Sequence, residues 1–308
     1  MRTLCIGRVT YDISLPLNEF LVEGKKYNDV KKVEGGSGSA GTPAYLLGRW
    51  GCESYIAGVV GNDLYGNRIK REYETIGVFT KFLEVNYEKD TIVNYAIINE
   101  SKGSRTLITD DENSIKLTKN TFEMDDPDGI LLDGSEYDAS IATLIRYKEA
   151  VTMMSATKNT KEVLDLCTKV KYVVCPLDFA EEVTGIKANY NDTNTLVKIY
   201  QGLNERFKNN IVITLGNMGT LYCIDNNIKV MPPVNIIPKD STGVGDVFRG
   251  ALLYGLISNK KYDVAIKIAN MAAGLSTTKV GIKNSIFKFE EIETYAKNIN
   301  ESIYWSIS

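Results

Sequence analysis

Apolar residues along this chain fall into short continuous runs alternating with longer stretches of helical spacing, a pattern that predicts βαβ units and a mainly parallel sheet covered on both faces. Leu4 to Val9 reads as a buried strand ending near Gly7, and Ala44 to Trp50 as part of a helix. Tyr55 to Val60 is a second buried strand closed by Gly61, and Leu64 to Ile76 keeps helical spacing up to Gly77. Further on, strand and helix pair repeatedly: Ile130 to Leu132 with Ile141 to Tyr147, Val151 to Met154 with Val163 to Cys167, and Tyr172 to Val174 with Ala180 to Thr184. Ile211 to Leu215 turns at Gly216 and Gly219 into Leu221 to Ile224 as a strand pair. Two long helical stretches follow, Gly245 to Ile257 and Val264 to Lys279, and Ile292 to Ile299 closes the fold. Ala188 to Asn194 reads as a loop.

Two regions break this rhythm. Tyr11 to Val33 holds Pro16, Gly24 and several lysines and suits an exposed ribbon. From about Phe82 to Thr109 the period becomes two, as in Ile92, Asn94, Ala96 and Ile98, with a turn at Lys102-Gly103. These regions predict a second, antiparallel piece of sheet.

Composition narrows the chemistry. The 308 residues are 44% hydrophobic and 24% charged, the balance of a globular protein. A formal charge of −3 argues against nucleic acid as partner, and no apolar run reaches the roughly 18 residues that span a bilayer, so a cytoplasmic protein is expected. Five scattered cysteines form no C-x-x-C pair and read as buried thiols. The chain contains no histidine. That removes Ser-His-Asp and Cys-His catalysis, H-E-x-x-H zinc sites and every histidine base, leaving carboxylates, lysines, hydroxyls and backbone amides.

The sharpest motif is Asp240-Ser241-Thr242-Gly243-Val244-Gly245-Asp246, running into the apolar Val247 to Leu253. Two glycines one residue apart let successive amides turn toward one point at the start of a buried helix, whose positive end attracts an anion. Asp246 then stands where those amides hold its carboxylate ionised, ready to accept a proton from a hydroxyl. The residues alone fit equally well a helix capped by Asp240 or Ser241, with the glycines serving the turn. Gly36-x-Gly38-x-x-Gly41 matches the dinucleotide fingerprint letter by letter, but Lys31 to Glu34 is not a buried strand and Pro43 follows at once, so its context speaks against NAD.

With Ser241 in place of threonine and Val244 in place of alanine, the motif resembles the D-T-x-G-A-G-D-x-F-x-G signature of the ribokinase, or PfkB, family of carbohydrate kinases. Gly35 to Thr42 is similar to that family's glycine-rich sugar-lining element, and Gly58 to Asp63 with Gly66 to its G-x-V-G-x-D-x-x-G stretch. The resemblance runs over nearly the whole chain. It implies a ribokinase-like α/β three-layer sandwich, with a mainly parallel central sheet and a small antiparallel β lid. One kinase domain would fill residues 1–308, with a discontinuous lid from about 10–34 and 82–110.

The resemblance further implies ATP-dependent phosphorylation of a hydroxymethyl group of a sugar or sugar derivative. Asp246 would be the base, and Gly243, Val244 and Gly245 the anion hole. Asp12, Gly36, Ser37, Gly38 and Arg105 would line the acceptor site; Thr214, Gly216, Gly219, Ser241, Asn270 and Gly281 would line the ATP site. The lid sequence around Arg105 favours a ketose-like acceptor. The implied cofactors are ATP and Mg2+, with a monovalent cation as an optional activator, and the implied partners are a small sugar and a second copy joined through the lid. Two departures matter. Ala40 stands where the family often has a substrate-touching asparagine, and Pro176-Leu177-Asp178-Phe179 lacks both residues of the N-x-x-E magnesium motif. Magnesium is therefore expected to be held mainly by ATP and water, with Asp178 acting through water. A nucleoside kinase, or a catalytically silent sugar- or nucleotide-binding protein, uses the same scaffold.

Overall fold

The computed structural model describes residues 1–110, 115–298 and 305–306. Among these, ten strands form one sheet in the order Trp305–Ser306, Asn227–Met231, Thr220–Ile224, Asn210–Thr214, Tyr172–Pro176, Val151–Ser155, Gly129–Leu132, Arg2–Ile6, Glu53–Gly61, Phe79–Asn86. Neighbours run parallel from Asn210–Thr214 through Phe79–Asn86 and antiparallel toward the other edge. Side chains alternate across a strand, so each parallel strand feeds two cores. Cys5, Leu131, Val174 and Val212 pack against helices Gly41–Arg49, Leu64–Thr75, Val244–Ile257 and Tyr262–Ser276. Leu4, Ile130, Val173 and Ile211 pack on the opposite face against Tyr137–Arg146, Lys161–Cys167, Leu177–Thr184 and Asn194–Phe207.

Local chemistry sets the helix ends. Asp63 accepts from Gly66 N at 2.7 Å to start Leu64–Thr75, and Thr160 accepts from Val163 N at 3.3 Å to start Lys161–Cys167. Asn194–Phe207 is a helix that the sequence reading leaves unassigned. Its Leu196, Ile199, Tyr200, Leu203 and Phe207 are buried at spacings of three and four, the stripe of a core-facing helix. The segment expected to close the fold, Ile292 to Ile299, falls in helix Phe289–Asn298, with Ile299 outside the described residues.

A second sheet has the order Val33–Ser37, Thr10–Leu17, Val93–Asn99, Ser104–Thr109. Its outer pairs are antiparallel; the middle pair is parallel, with Tyr11 opposite Val93 and Leu17 opposite Asn99. Two details differ from the sequence reading. Thr10 to Ile13 are buried rather than ribbon-like, because this strand lies inside the small sheet and Tyr11 packs on Tyr65 with ring centroids 4.7 Å apart. Residues 82–86 belong to Phe79–Asn86, the edge of the large sheet, where Leu83 sits opposite Gly58. A half-exposed edge strand alternates in the same way whichever sheet it joins, so its period could not distinguish the two. The hairpin turn at Gly103 rests against the large body, since a Cβ there would lie 2.6 Å from Pro238 O.

Candidate active site

The chain leaves Arg2–Ile6 in one direction toward Glu53–Gly61 and Phe79–Asn86, then returns to build Gly129–Leu132 on its other side. Such a reversal opens a crevice beyond the carboxyl ends of the strands, the usual ligand position in open α/β sheets. Arg8 and Asp133, which follow these two strands, help line a cavity of about 580 Å3 there, together with Ser39, Ser135 and Glu136. Asp133 is buried and fully engaged: Oδ2 accepts from Arg8 N at 2.7 Å and from Ser39 Oγ, and Oδ1 accepts from Ser135 N at 2.8 Å and Ser135 Oγ at 2.7 Å. It ties the end of the first strand to the glycine-rich element.

The motif Asp240 to Asp246 forms a turn into helix Val244–Ile257, with Gly243 at the N-cap in the left-handed region at φ 68°. Asp240 organises the turn, accepting from Thr242 N at 2.8 Å and from Gly281 N at 2.9 Å. Asp240 therefore braces the turn and not the helix, whose N-cap Gly243 has no side-chain cap, and the helix start leaves the amides of residues 243–245 without helical acceptors. Asp246 stands in the first turn with its side chain 19% exposed, and Oδ1 accepts from Arg249 Nη2 at 2.8 Å. Burial raises its carboxyl above the ordinary value; Arg249 and Arg105 pull it back, and the charges of Asp12 and Asp133 push it up. The charges of Asp12, Asp133 and Arg105 thus act on Asp246, and of these groups Asp133 alone lines the cavity.

Asp12 is 5% exposed on the small sheet, where Oδ1 accepts from Asn94 Nδ2 at 2.7 Å and Thr10 Oγ1 at 3.1 Å. Burial raises its pKa, opposed by hydrogen bonds from Asn94, Ser37 and Thr10 and by the charge of Arg105. Gly36 N donates to Glu72 Oε2 at 2.8 Å, and Ser37 Oγ lies 3.4 Å from Thr42 Oγ1. At Gly38 the backbone passes so close to Arg8 that a Cβ would lie 2.4 Å from its carbonyl oxygen, and φ is 110°. Arg105, exposed on strand Ser104–Thr109, donates through Nη1 to the carbonyl oxygen of Ser241, with Ser241 Oγ at 3.4 Å. The small sheet thus touches the Asp240–Asp246 turn.

The residues that the resemblance assigns to ATP spread along the same edge. Thr214 ends its strand, Gly216 and Gly219 flank a short 3-10 turn, and Gly281 is bonded to Asp240. Asn270 is engaged within the protein: Nδ2 donates to Pro232 O at 2.5 Å, and Oδ1 accepts from Thr220 Oγ1 at 3.3 Å. Asp178 accepts from its own helix at Phe179 N, 2.9 Å away, in the first turn of Leu177–Thr184. Asp133, Arg249, Asn94 and Glu136 escaped the sequence reading. Two left signals: Asp133 directly follows an apolar strand, and Arg249 is a lone charge within an apolar helical run.

Comparison with known proteins agrees with this architecture. A ribokinase from Bacillus subtilis is 22% identical over 302 residues, covering 95% of this chain and 99% of the relative. The structure of Arabidopsis thaliana ribokinase complexed with ribose and ATP superposes with a TM-score of 0.77 at 17% identity, covering 97% of this chain and 99% of the other. An E. coli structure described as ribokinase II in complex with ATP and Mg2+ superposes at a TM-score of 0.75 and 17% identity, with 97% and 99% covered. These likenesses establish the fold. A sequence model described as pfkB family carbohydrate kinase matches residues 2–288, so the chain belongs to that family, whose members are phosphotransferases with an alcohol group as acceptor.

Proposed function

We propose that this protein transfers the γ-phosphoryl group of ATP to the hydroxymethyl group of a sugar or sugar derivative, with a ketose-like acceptor favoured. One observation carries the reading: a carboxylate and a helix start with unpaired amides share a single turn at Gly243 to Asp246, which Arg105 of the small sheet contacts at Ser241. Asp246 takes the hydroxyl proton, the freed oxygen bonds to the γ-phosphorus, and the bond from that phosphorus to the bridging oxygen of ADP breaks. The amides of Gly243, Val244 and Gly245 receive the charge that builds on the migrating group. Asp12, the Gly36–Gly38 backbone and Arg105 orient the acceptor, and the small sheet acts as a lid that excludes water. Thr214, Gly216, Gly219, Ser241 and Gly281 line the nucleotide side, to which Asn270 contributes by bracing its helix.

Among the described residues no three carboxylates, histidines or cysteines converge into a metal cage. Mg2+ would be held mainly by the nucleotide's phosphates and water, with Asp178 acting through water, and would offset charge there. Tyr95 and Ile108 lie opposite each other on the small sheet, 44% and 57% exposed, which supports pairing of two copies through this face. All five cysteines are free, which suits a reducing compartment such as the cytoplasm, and among the described residues no helix is long and apolar enough to cross a membrane.

The test is ADP release with ATP and Mg2+ over a panel of ketoses, aldoses and ribosides, repeated with Asp246→Asn. The variant should bind ATP normally and turn over about 10²- to 10⁴-fold more slowly. Near-normal turnover would reject Asp246 as the base, and no ADP release above background with any acceptor would favour a silent binding protein.

A further inference from the structure

Helix Val244–Ile257 carries one cation in an apolar wall. Arg249 is 6% exposed, with Val247, Phe248, Ala251 and Leu252 buried around it on the same helix. An arginine this deep is uncommon unless paired. Its Nη2 donates to Asp246 Oδ1 at 2.8 Å across three residues, the spacing at which helical side chains meet. Its Nε is buried with no hydrogen-bond partner among the described residues, so a saturated structural network does not account for the side chain. A Cβ on Gly245 would stand 3.2 Å from Nη1 and 3.4 Å from Nη2, which sets the guanidinium directly beside the anion-binding turn.

We propose that Arg249 is a positioning residue for phosphoryl transfer: it anchors Oδ1 of Asp246 so that Oδ2 meets the acceptor hydroxyl, and it keeps that carboxylate charged. The inference rests on the kinase reading above. The charged groups around Asp246 are Arg249, Arg105, Asp12 and Asp133. Among the described residues Arg249 alone is bonded to it, whereas Arg105 is exposed on the small sheet and reaches Ser241. Without Arg249, the two aspartates act on Asp246 against Arg105 only, and the base holds its proton to higher pH.

The experiment measures kcat against pH, at saturating ATP and acceptor, for the wild type, Arg249→Gln, Arg249→Lys, Asp246→Asn and the double variant Asp246→Asn/Arg249→Gln. Arg249→Gln should move the acid limb up by about one pH unit, the scale of one lost charge partner, and recover part of its activity in alkali. Its KM for ATP should stay within about twofold, while Arg249→Lys should keep the acid limb in place with kcat lowered. In the Asp246→Asn background, removing Arg249 should add no further loss. An unmoved acid limb in Arg249→Gln, or the same loss in both backgrounds, overturns the proposal. If thermal melting shows Arg249→Gln unfolded, Arg249→Lys decides: lowered kcat supports the proposal and unchanged kcat overturns it. An inactive Asp246→Asn beside an indifferent Arg249→Gln sinks this inference alone, whereas an active Asp246→Asn removes the underlying kinase reading with it.

Discussion

Replacing Gly243 with alanine tests whether the turn is shaped by its surroundings or only by its backbone. Gly243 has φ 68°, so any L-residue there meets the left-handed penalty of about 1 kcal/mol. A Cβ would also lie 2.5 Å from Ile282 Cδ1 and 2.9 Å from Cγ1, a buried side chain that must shift, adding about 1–3 kcal/mol. Gly216 is the matched control: φ is 61°, yet nothing lies within 4 Å of its added Cβ, so only the backbone penalty applies. By thermal melting, at roughly 2 °C per kcal/mol for a chain of this size, Gly216→Ala should lose about 2 °C and Gly243→Ala about 4–8 °C. If the turn holds the migrating phosphoryl group as proposed, Gly243→Ala should also lower turnover by about 10²-fold, because a shift of about 1 Å misplaces the reacting groups. Equal melting losses in the two variants would refute the steric argument.

Glu136, buried beside the cavity, has its pKa pushed up to about 7 by burial, against the pull of Leu117 N and Lys116. Its folded value exceeds its unfolded one, so its contribution to stability is complete below the unfolded value of 4.5 and is lost as pH rises through about 7. Urea unfolding at pH 5 and pH 9 should therefore show Glu136→Gln gaining on the wild type at the higher pH by about 2–3 kcal/mol; parallel curves would count against the burial argument. Arg105→Ala should raise the KM for the sugar and lower kcat/KM about 10- to 100-fold, with ATP binding little changed, if the lid contact to Ser241 helps close the site. Unaltered steady-state kinetics would make that contact a surface feature.

The large sheet was legible because buried parallel strands are continuous apolar runs, and Leu4, Ile130, Val173 and Ile211 announce themselves without any partner. The start of helix Val244–Ile257 was equally readable, since glycines and an aspartate precede an apolar stretch. Helix Asn194–Phe207 went unassigned although Leu196, Ile199, Tyr200, Leu203 and Phe207 keep the spacing of a core-facing stripe with polar residues between, so it too was within reach of the sequence. Asp133 depends on three-dimensional neighbours. Nothing near residue 133 in the chain says that Ser39 will reach its carboxylate, 94 positions away. Arg249 lies three residues after Asp246, so its ion pair needed only helical geometry and was within reach of the sequence.

The small sheet is woven from two distant stretches, one between Arg2–Ile6 and Gly41–Arg49, the other between Phe79–Asn86 and Gly129–Leu132, joined along Tyr11–Leu17 and Val93–Asn99. A sheet made this way is no detachable cassette. Grafting one stretch from a relative would set foreign residues against a native partner over that shared seam, so a graft that keeps the seam matched must carry both pieces together. The seam also pairs Tyr11 with Val93, residues far apart in the chain, and non-local pairing of this kind slows folding.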